Sequence, residues 1–222
     1  MSRQARPEPG GEAEDAGSLP YAILPYTVSG RVYNIDTRLD PDLRDIAVDP
    51  EEMRLALTEA QERLAQEPEP RTRIALLGQI GVHSRVLGDL PVAERALSEA
   101  VQLAAELEDS RLEVVNAIRL AHVHHWAAGY ERAGALLDQV LTRCRRDPHL
   151  RSWTDFALQH LGKCLLDEGR VSEAVEAFEE ALQLRLEKGD AELIDSTRRA
   201  LERARHRDAM GRQGSSRSSA SE

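Results

Sequence analysis

Residues 91–106 read PVAERALSEAVQLAAE, residues 131–146 read ERAGALLDQVLTRCRR and residues 172–187 read SEAVEAFEEALQLRLE. One pattern runs through all three: Ala93-x3-Leu97-x2-Ala100, Ala133-x3-Leu137-x2-Val140 and Ala174-x3-Phe178-x2-Ala181, the leading residue recurring after 40 and then 41 residues. Self-similarity at such a period is the mark of a repeat architecture and takes precedence over any other reading of the fold. Apolar residues at i, i+3, i+4 and i+7 place each stretch on an amphipathic helix.

Outward from these stretches, a second helix precedes each one. Leu77, Ile80 and Gly81 correspond to Ala117, Leu120 and Ala121, and to Leu158, Leu161 and Gly162. Small residues at 81, 121 and 162 and at 93, 133 and 174 let two antiparallel helices approach closely, while Leu97, Leu137 or Phe178 fills the space beside them. Breaks at Pro68–Pro70, Gly88-Asp89, Asp109-Ser110, Gly129, Asp147-Pro148, Gly169 and Gly189-Asp190 divide the chain into eight helices, roughly 50–66, 71–87, 90–107, 110–127, 130–146, 150–167, 171–187 and 191–207.

The paired pattern resembles the tetratricopeptide repeat family over residues 71–188, just over half of the 222-residue chain. Three departures stand out. Leu77, Ala117 and Leu158 replace the family's early aromatic, and Ser84, His124 and Leu165 replace the late one. The period is near 40, and no proline ends the second helix. The longer form resembles the repeats of kinesin light chains and of bacterial peptide-sensing regulators. The resemblance implies an all-α, α-solenoid fold of antiparallel helix pairs, a superhelix of the tetratricopeptide kind, with a non-helical N-terminal segment. Its first helices would line a concave groove, and that groove would bind a protein or peptide.

Stepping back 40 residues from Ala93 gives Met53-x3-Leu57-x2-Ala60, the second half of a degenerate leading repeat. Pro41 and Asp40 fall where its first half belongs, so that half is expected to be missing. At the other end, Leu193, Thr197, Ala200, Leu201 and Ala204 form one stripe of a capping helix, as solenoids require. The expected organisation is a disordered segment at 1–18, an extended or hairpin strap at 19–48, a helical domain at 49–208 and a disordered tail at 209–222. Tyr21, Tyr26 and Tyr33 lie in the strap around a Ser29-Gly30 turn signal.

A net charge of -10 disfavours general nucleic-acid binding. No run approaches the ~18 apolar residues of a spanning helix, and no signal pattern opens the chain. The expected setting is cytoplasmic, with no nucleic-acid or membrane partner and an oligomeric state the sequence does not fix. Cys144 and Cys164 lack metal-ligand spacing and read as reduced core residues.

Groove-facing positions carried over from the resemblance are Val82, Arg85 and Val86; Ile118, Arg119, His122, His125 and Trp126; and Phe156, Gln159, His160, Lys163, Leu166 and Asp167. Among these, Arg85, Arg119, His122, His125, Trp126, Gln159, His160 and Lys163 are the expected peptide-binding set. The first helices carry seven Arg/Lys against three acids, and the second helices six Arg against ten acids. A comparatively basic groove inside an acidic protein favours ligands with acidic side chains or a free C-terminal carboxylate. Imidazoles at 122, 125 and 160 invite a zinc reading, but no acidic or thiol ligand completes the set; neither a metal nor any other cofactor is expected. No nucleophile, phosphate-binding or zinc-protease motif occurs, so binding is expected and catalysis is not. Two alternatives remain open: a regulator whose Tyr21–Ile35 segment occupies the groove until a ligand displaces it, and a self-associating structural protein.

Overall fold

The computed structural model describes residues 27–28, 31–66 and 69–218. Eight α-helices follow two short hairpins: α1 Pro50–Leu64, α2 Pro70–Val86, α3 Leu90–Glu106, α4 Ser110–Trp126, α5 Tyr130–Arg146, α6 Thr154–Glu168, α7 Val171–Lys188 and α8 Ala191–Ser218. A 3-10 helix, Pro148–Trp153, leads into α6, where the sequence pattern predicts an α-helix from about residue 150. Asp147-Pro148 opens it, the Asp147 side chain accepting from the His149 N–H at 2.9 Å. The first four helices, α1 to α4, use acids as caps. Asp49 accepts from the amides of Glu51 and Glu52, Glu69 from those of Arg71 and Thr72, and Asp89 and Asp109 each from one amide. Each cap satisfies backbone donors that the first turn leaves open.

Consecutive helices pack in antiparallel pairs, and α2 also touches α4, as α4 touches α6. No comparable contact joins α3 to α5 or α5 to α7. The first helices are therefore closer together than the second ones, which curves the stack and puts α2, α4 and α6 on its concave side. This is an all-α solenoid. Ala93, Leu97, Ala100, Ala133, Leu137, Ala174, Phe178 and Ala181 are all fully buried.

Close approach explains the small residues. A Cβ added at Gly81 would sit 2.3 Å from Leu97 Cγ, and one at Gly162 would sit 2.6 Å from Phe178 Cε1. Gly162→Ala is therefore expected to destabilise by about 1–3 kcal/mol despite the better helix propensity of alanine. Gly134, also helical, has nothing within 4 Å of that position, so Gly134→Ala is expected to stabilise by up to ~1 kcal/mol. Urea unfolding midpoints that moved in the same direction for both variants would contradict the packing argument.

At the N-terminal end the missing half-repeat is visible in burial. Met53 and Ala60 are fully buried, but Leu57, the counterpart of Leu97, is only partly so. Tyr33 and Ile35 pack in the same cluster as Met53 and Ala56, and the Tyr33 hydroxyl donates to Glu59 Oε2 at 2.6 Å. Ahead of them β1 (Thr27–Val28) pairs antiparallel with β2 (Arg31–Val32); the Ser29-Gly30 turn signal lies outside the described residues. Tyr21, Tyr26 and residues 1–18 lie outside the described residues.

Two further features differ from the sequence reading. A second antiparallel hairpin, β3 (Thr37–Leu39) with β4 (Asp45–Ala47), forms across Asp40-Pro41-Asp42. Asp40 makes the turn by accepting from the amides of Asp42 and Arg44 at 2.8 and 2.9 Å. The last helix, expected to end near 207 before a non-helical tail, instead continues to Ser218. Residues 208–213 contain no proline, and helix already nucleated propagates cheaply through Ala209, Met210, Arg212 and Gln213, Gly211 costing only about 1 kcal/mol.

A candidate peptide groove and the hairpin that sits in it

The concave face gathers seven of the eight expected residues: Arg85 from α2, His122, His125 and Trp126 from α4, and Gln159, His160 and Lys163 from α6. They do not line an open channel. Asp45 of β4 pairs with Arg85 at 2.8 Å, and Lys163 Nζ donates to the Leu43 carbonyl at 2.9 Å. Arg44 stacks on the Trp126 ring from 5.4 Å, and Arg85 does so from 4.5 Å. Arg203 of α8 holds Asp42 at 2.7 Å. The segment seen lying against the groove is thus the β3–β4 hairpin; most of the Tyr21–Ile35 stretch lies outside the described residues.

Arg119, the eighth expected residue, is placed differently. Its guanidinium reaches Asn116 Oδ1 at 3.3 Å and lies over Gly78, where an added Cβ would stand 2.7 Å from Nη1. The charge segregation read from the sequence is also partly consumed within the repeats. Arg71 pairs with Asp109, and Arg73 with Glu99, while Glu113 of α4 takes Arg143 of α5. Of the first-helix cations, Arg85 and Lys163 reach the hairpin.

Burial governs the histidines. The His122 and His160 rings lie 4.2 Å apart at 47°, and His122 meets the Trp126 edge at 5.5 Å. Burial, with Arg85 and Lys163 close by, holds both imidazoles well below the ordinary histidine range. His83, fully buried on α2, is lowered by burial and then by Arg119 to about 4. Burial also lowers Lys163, with Asp45 opposing. His125 Nε2 lies 2.9 Å from Asp167 Oδ2, and that hydrogen bond holds the Asp167 carboxyl below its usual value. Among the described residues no group of three or more His, Cys, Asp or Glu is arranged to hold a metal ion. Cys144 and Cys164 are buried and unbridged, and burial raises both thiols, Cys164 to about 11.

The lowered histidines fix the sign of an acid response. The unfolded chain takes up protons near 6.5 and the folded chain does not, so stability is present above that pH and is lost as pH falls toward the folded values. For His83, lowered to about 4, the contribution lost is roughly 3 kcal/mol. Melting temperature is expected to fall between pH 6.5 and 4, and a His83→Leu variant to show a shallower fall over that window. Equal slopes would show that His83 does not carry the response.

Residues 113–187 match the family model described as tetratricopeptide repeat. The fold is similar to that of a putative kinesin light chain with TPR-like repeats from Podosopora anserina, at TM-score 0.56 and 16% identity, covering 75% of this chain and 83% of that one. It is also similar to PlcR of Bacillus thuringiensis, solved with the peptide PapR7 and DNA, at TM-score 0.61 and 14% identity, covering 70% of this chain and 56% of that one. This chain thus spans just over half the length of PlcR. No curated protein matches the sequence. Residues 113–187 thus match tetratricopeptide repeats, and the solenoid as a whole has a fold of that kind. Because PlcR was solved with DNA, the likeness gives no support to the exclusion of nucleic acid drawn from net charge. Among the described residues no helix is long and apolar enough to cross a membrane.

Proposed function

We propose that this protein binds a protein or peptide in the concave groove formed by α2, α4 and α6, acting as a scaffold or adaptor and not as an enzyme. The ligand replaces the β3–β4 hairpin. The observation that carries this reading is the pair of contacts from buried cations to the hairpin: Arg85 to the Asp45 carboxylate at 2.8 Å and Lys163 to the Leu43 carbonyl at 2.9 Å. These are the two things an extended peptide offers, an acidic side chain and a main-chain carbonyl. A groove that already accepts both from its own chain suits an acidic segment, or a C-terminal carboxylate, from another.

The unpaired groups around them support the same reading. Arg85 Nη1, His122 Nε2 and Trp126 Nε1 are buried without a hydrogen-bond partner, so the hairpin uses only part of what the groove provides. Buried polar groups left unpaired are costly, and a ligand that pairs them has an advantage over the resident segment. Trp126, flanked by two guanidinium groups, supplies an aromatic anchor. A preformed solenoid surface loses little ordering entropy on binding.

A peptide array probed with the full chain is expected to select acidic peptides. Lys163→Met should weaken the selected peptides about tenfold or more, since a hydrogen bond to a charged group contributes about 1.5–3 kcal/mol. Selection of basic peptides, or unchanged affinity in the variant, would count against the proposal.

A further inference from the structure

The hairpin leaves part of the concave face uncovered. Between β3, α6 and the start of α8 lies a cavity of about 540 Å³, within the size range of small-ligand sites. Its floor is built from buried side chains of α6: Phe156, Gln159, His160 and Lys163. Its rim includes Glu192 and Leu193 of α8 and Leu39 of β3.

Gln159 is the decisive residue. It is only 4% exposed, it lines the cavity, and both its Nε2 and Oε1 are buried without a hydrogen-bond partner. One donor and one acceptor, side by side and unpaired, match a single amide group, which offers a carbonyl to Nε2 and an N–H to Oε1. Leaving both unmet costs about 1–3 kcal/mol for each, which an amide-bearing ligand would relieve. The lining carries both signs of charge: the Lys163 ammonium, with Asp45 beside it, suits a carboxylate, and the exposed carboxylate of Glu192, in a lining that also holds Arg38 and the Arg199–Asp195 pair, suits an ammonium. Phe156, Leu39 and Leu193 supply the apolar walls between them.

We propose that this cavity is a binding site for a dipeptide-sized zwitterion, its carboxylate directed to Lys163, its central amide paired with Gln159 and its ammonium at Glu192. The ligand binds with the hairpin in place. Thr37, Leu39 and Asp45 of the hairpin line the same cavity, so occupancy holds the hairpin down and opposes its exchange for a longer peptide. A dipeptide and a displacing peptide therefore have opposite effects on the hairpin.

The test is calorimetry on the full chain with alanylalanine, alanylleucine and leucylleucine, beside their N-acetyl and C-terminal amide forms. At least one free dipeptide is expected to bind with Kd below about 1 mM, and blocking either end should weaken it tenfold or more. Gln159→Leu should weaken it at least tenfold while keeping or raising the melting temperature, because the variant removes two unpaired buried groups; binding is then lost without loss of fold. Glu192→Gln, at an exposed position, should reduce the penalty for acetylation. Asp45→Ala, which frees the hairpin, should weaken the dipeptide. Absence of binding by all three dipeptides, or affinity unchanged by Gln159→Leu, would overturn the proposal. Either result would leave peptide exchange at Arg85 and Lys163 standing, because that is read from longer peptides and other variants.

Discussion

Asp155→Ala is expected to lower the stability of the folded chain by roughly 3–5 kcal/mol, the range for removing one partner of a buried ion pair. Asp155, fully buried on α6, accepts from Arg185 Nε at 3.0 Å and from Lys188 Nζ, both on α7. Arg185 goes on to donate to the Leu193 carbonyl at 3.1 Å and to Thr197 Oγ1 at 2.6 Å on α8. One carboxylate thus sets a guanidinium that ties three helices together, with the Phe156 ring 5.2 Å from Arg185 Cζ. Alanine leaves Arg185, itself 2% exposed, without its counter-charge. In a solenoid each unit leans on its neighbours, so the loss should appear first at the C-terminal cap. Amide exchange is expected to speed up in α7 and α8 before α2 and α3. A double variant, Asp155→Leu with Arg185→Met, should recover much of the loss, because an apolar replacement of a buried pair is often neutral or better. A loss below about 1 kcal/mol for Asp155→Ala would show that the network does not hold the cap.

The second large effect is functional. Asp45→Ala removes the carboxylate that Arg85 holds at 2.8 Å. The side chain of Arg85 is 6% exposed and that of Asp45 23%, so the pair is partly screened and the hairpin should be weakened by about 1–3 kcal/mol, below the full range for buried pairs. If the hairpin competes with the ligand, the binding-competent fraction rises and apparent affinity rises with it. Acidic peptides selected by the wild-type chain should then bind Asp45→Ala roughly 5- to 150-fold more tightly, the conversion of that energy range. Residues 37–47 should also become more susceptible to limited proteolysis. A merely structural strap gives a different pair of results: lower melting temperature with unchanged peptide affinity.

The solenoid was legible because its signal is local and repeated. The Ala-x3-Leu-x2-Ala spacing fixes one face of a helix, and the pairings of Gly81 with Leu97 and of Gly162 with Phe178 follow from a small residue needing a large neighbour. Acidic caps at 89 and 109 also sit where the sequence breaks fall. The β3–β4 hairpin was not legible. Its strands are three residues long, too short for an alternating pattern, and Asp40-Pro41-Asp42 reads as a break. Its placement comes from partners 40, 120 and 161 residues away in sequence, Arg85, Lys163 and Arg203. Those contacts join side chains that no periodicity links. The candidate site was half legible for the same reason. Family geometry put Arg85, His122, Trp126 and Lys163 on one face, but it did not say that the face would be covered by acidic residues of the same chain.

Hydrogen exchange of residues 37–47 in the full chain, with and without a saturating acidic peptide, tests the central claim most directly. The account predicts that the amides of Asp40 and Arg44, hydrogen-bonded to the Arg44 carbonyl and to Asp40 Oδ1, exchange faster once the peptide is bound, while α4 and α6 become more protected. Unchanged or slower exchange across 37–47 at saturation would contradict it, because the peptide would then be binding without replacing the hairpin.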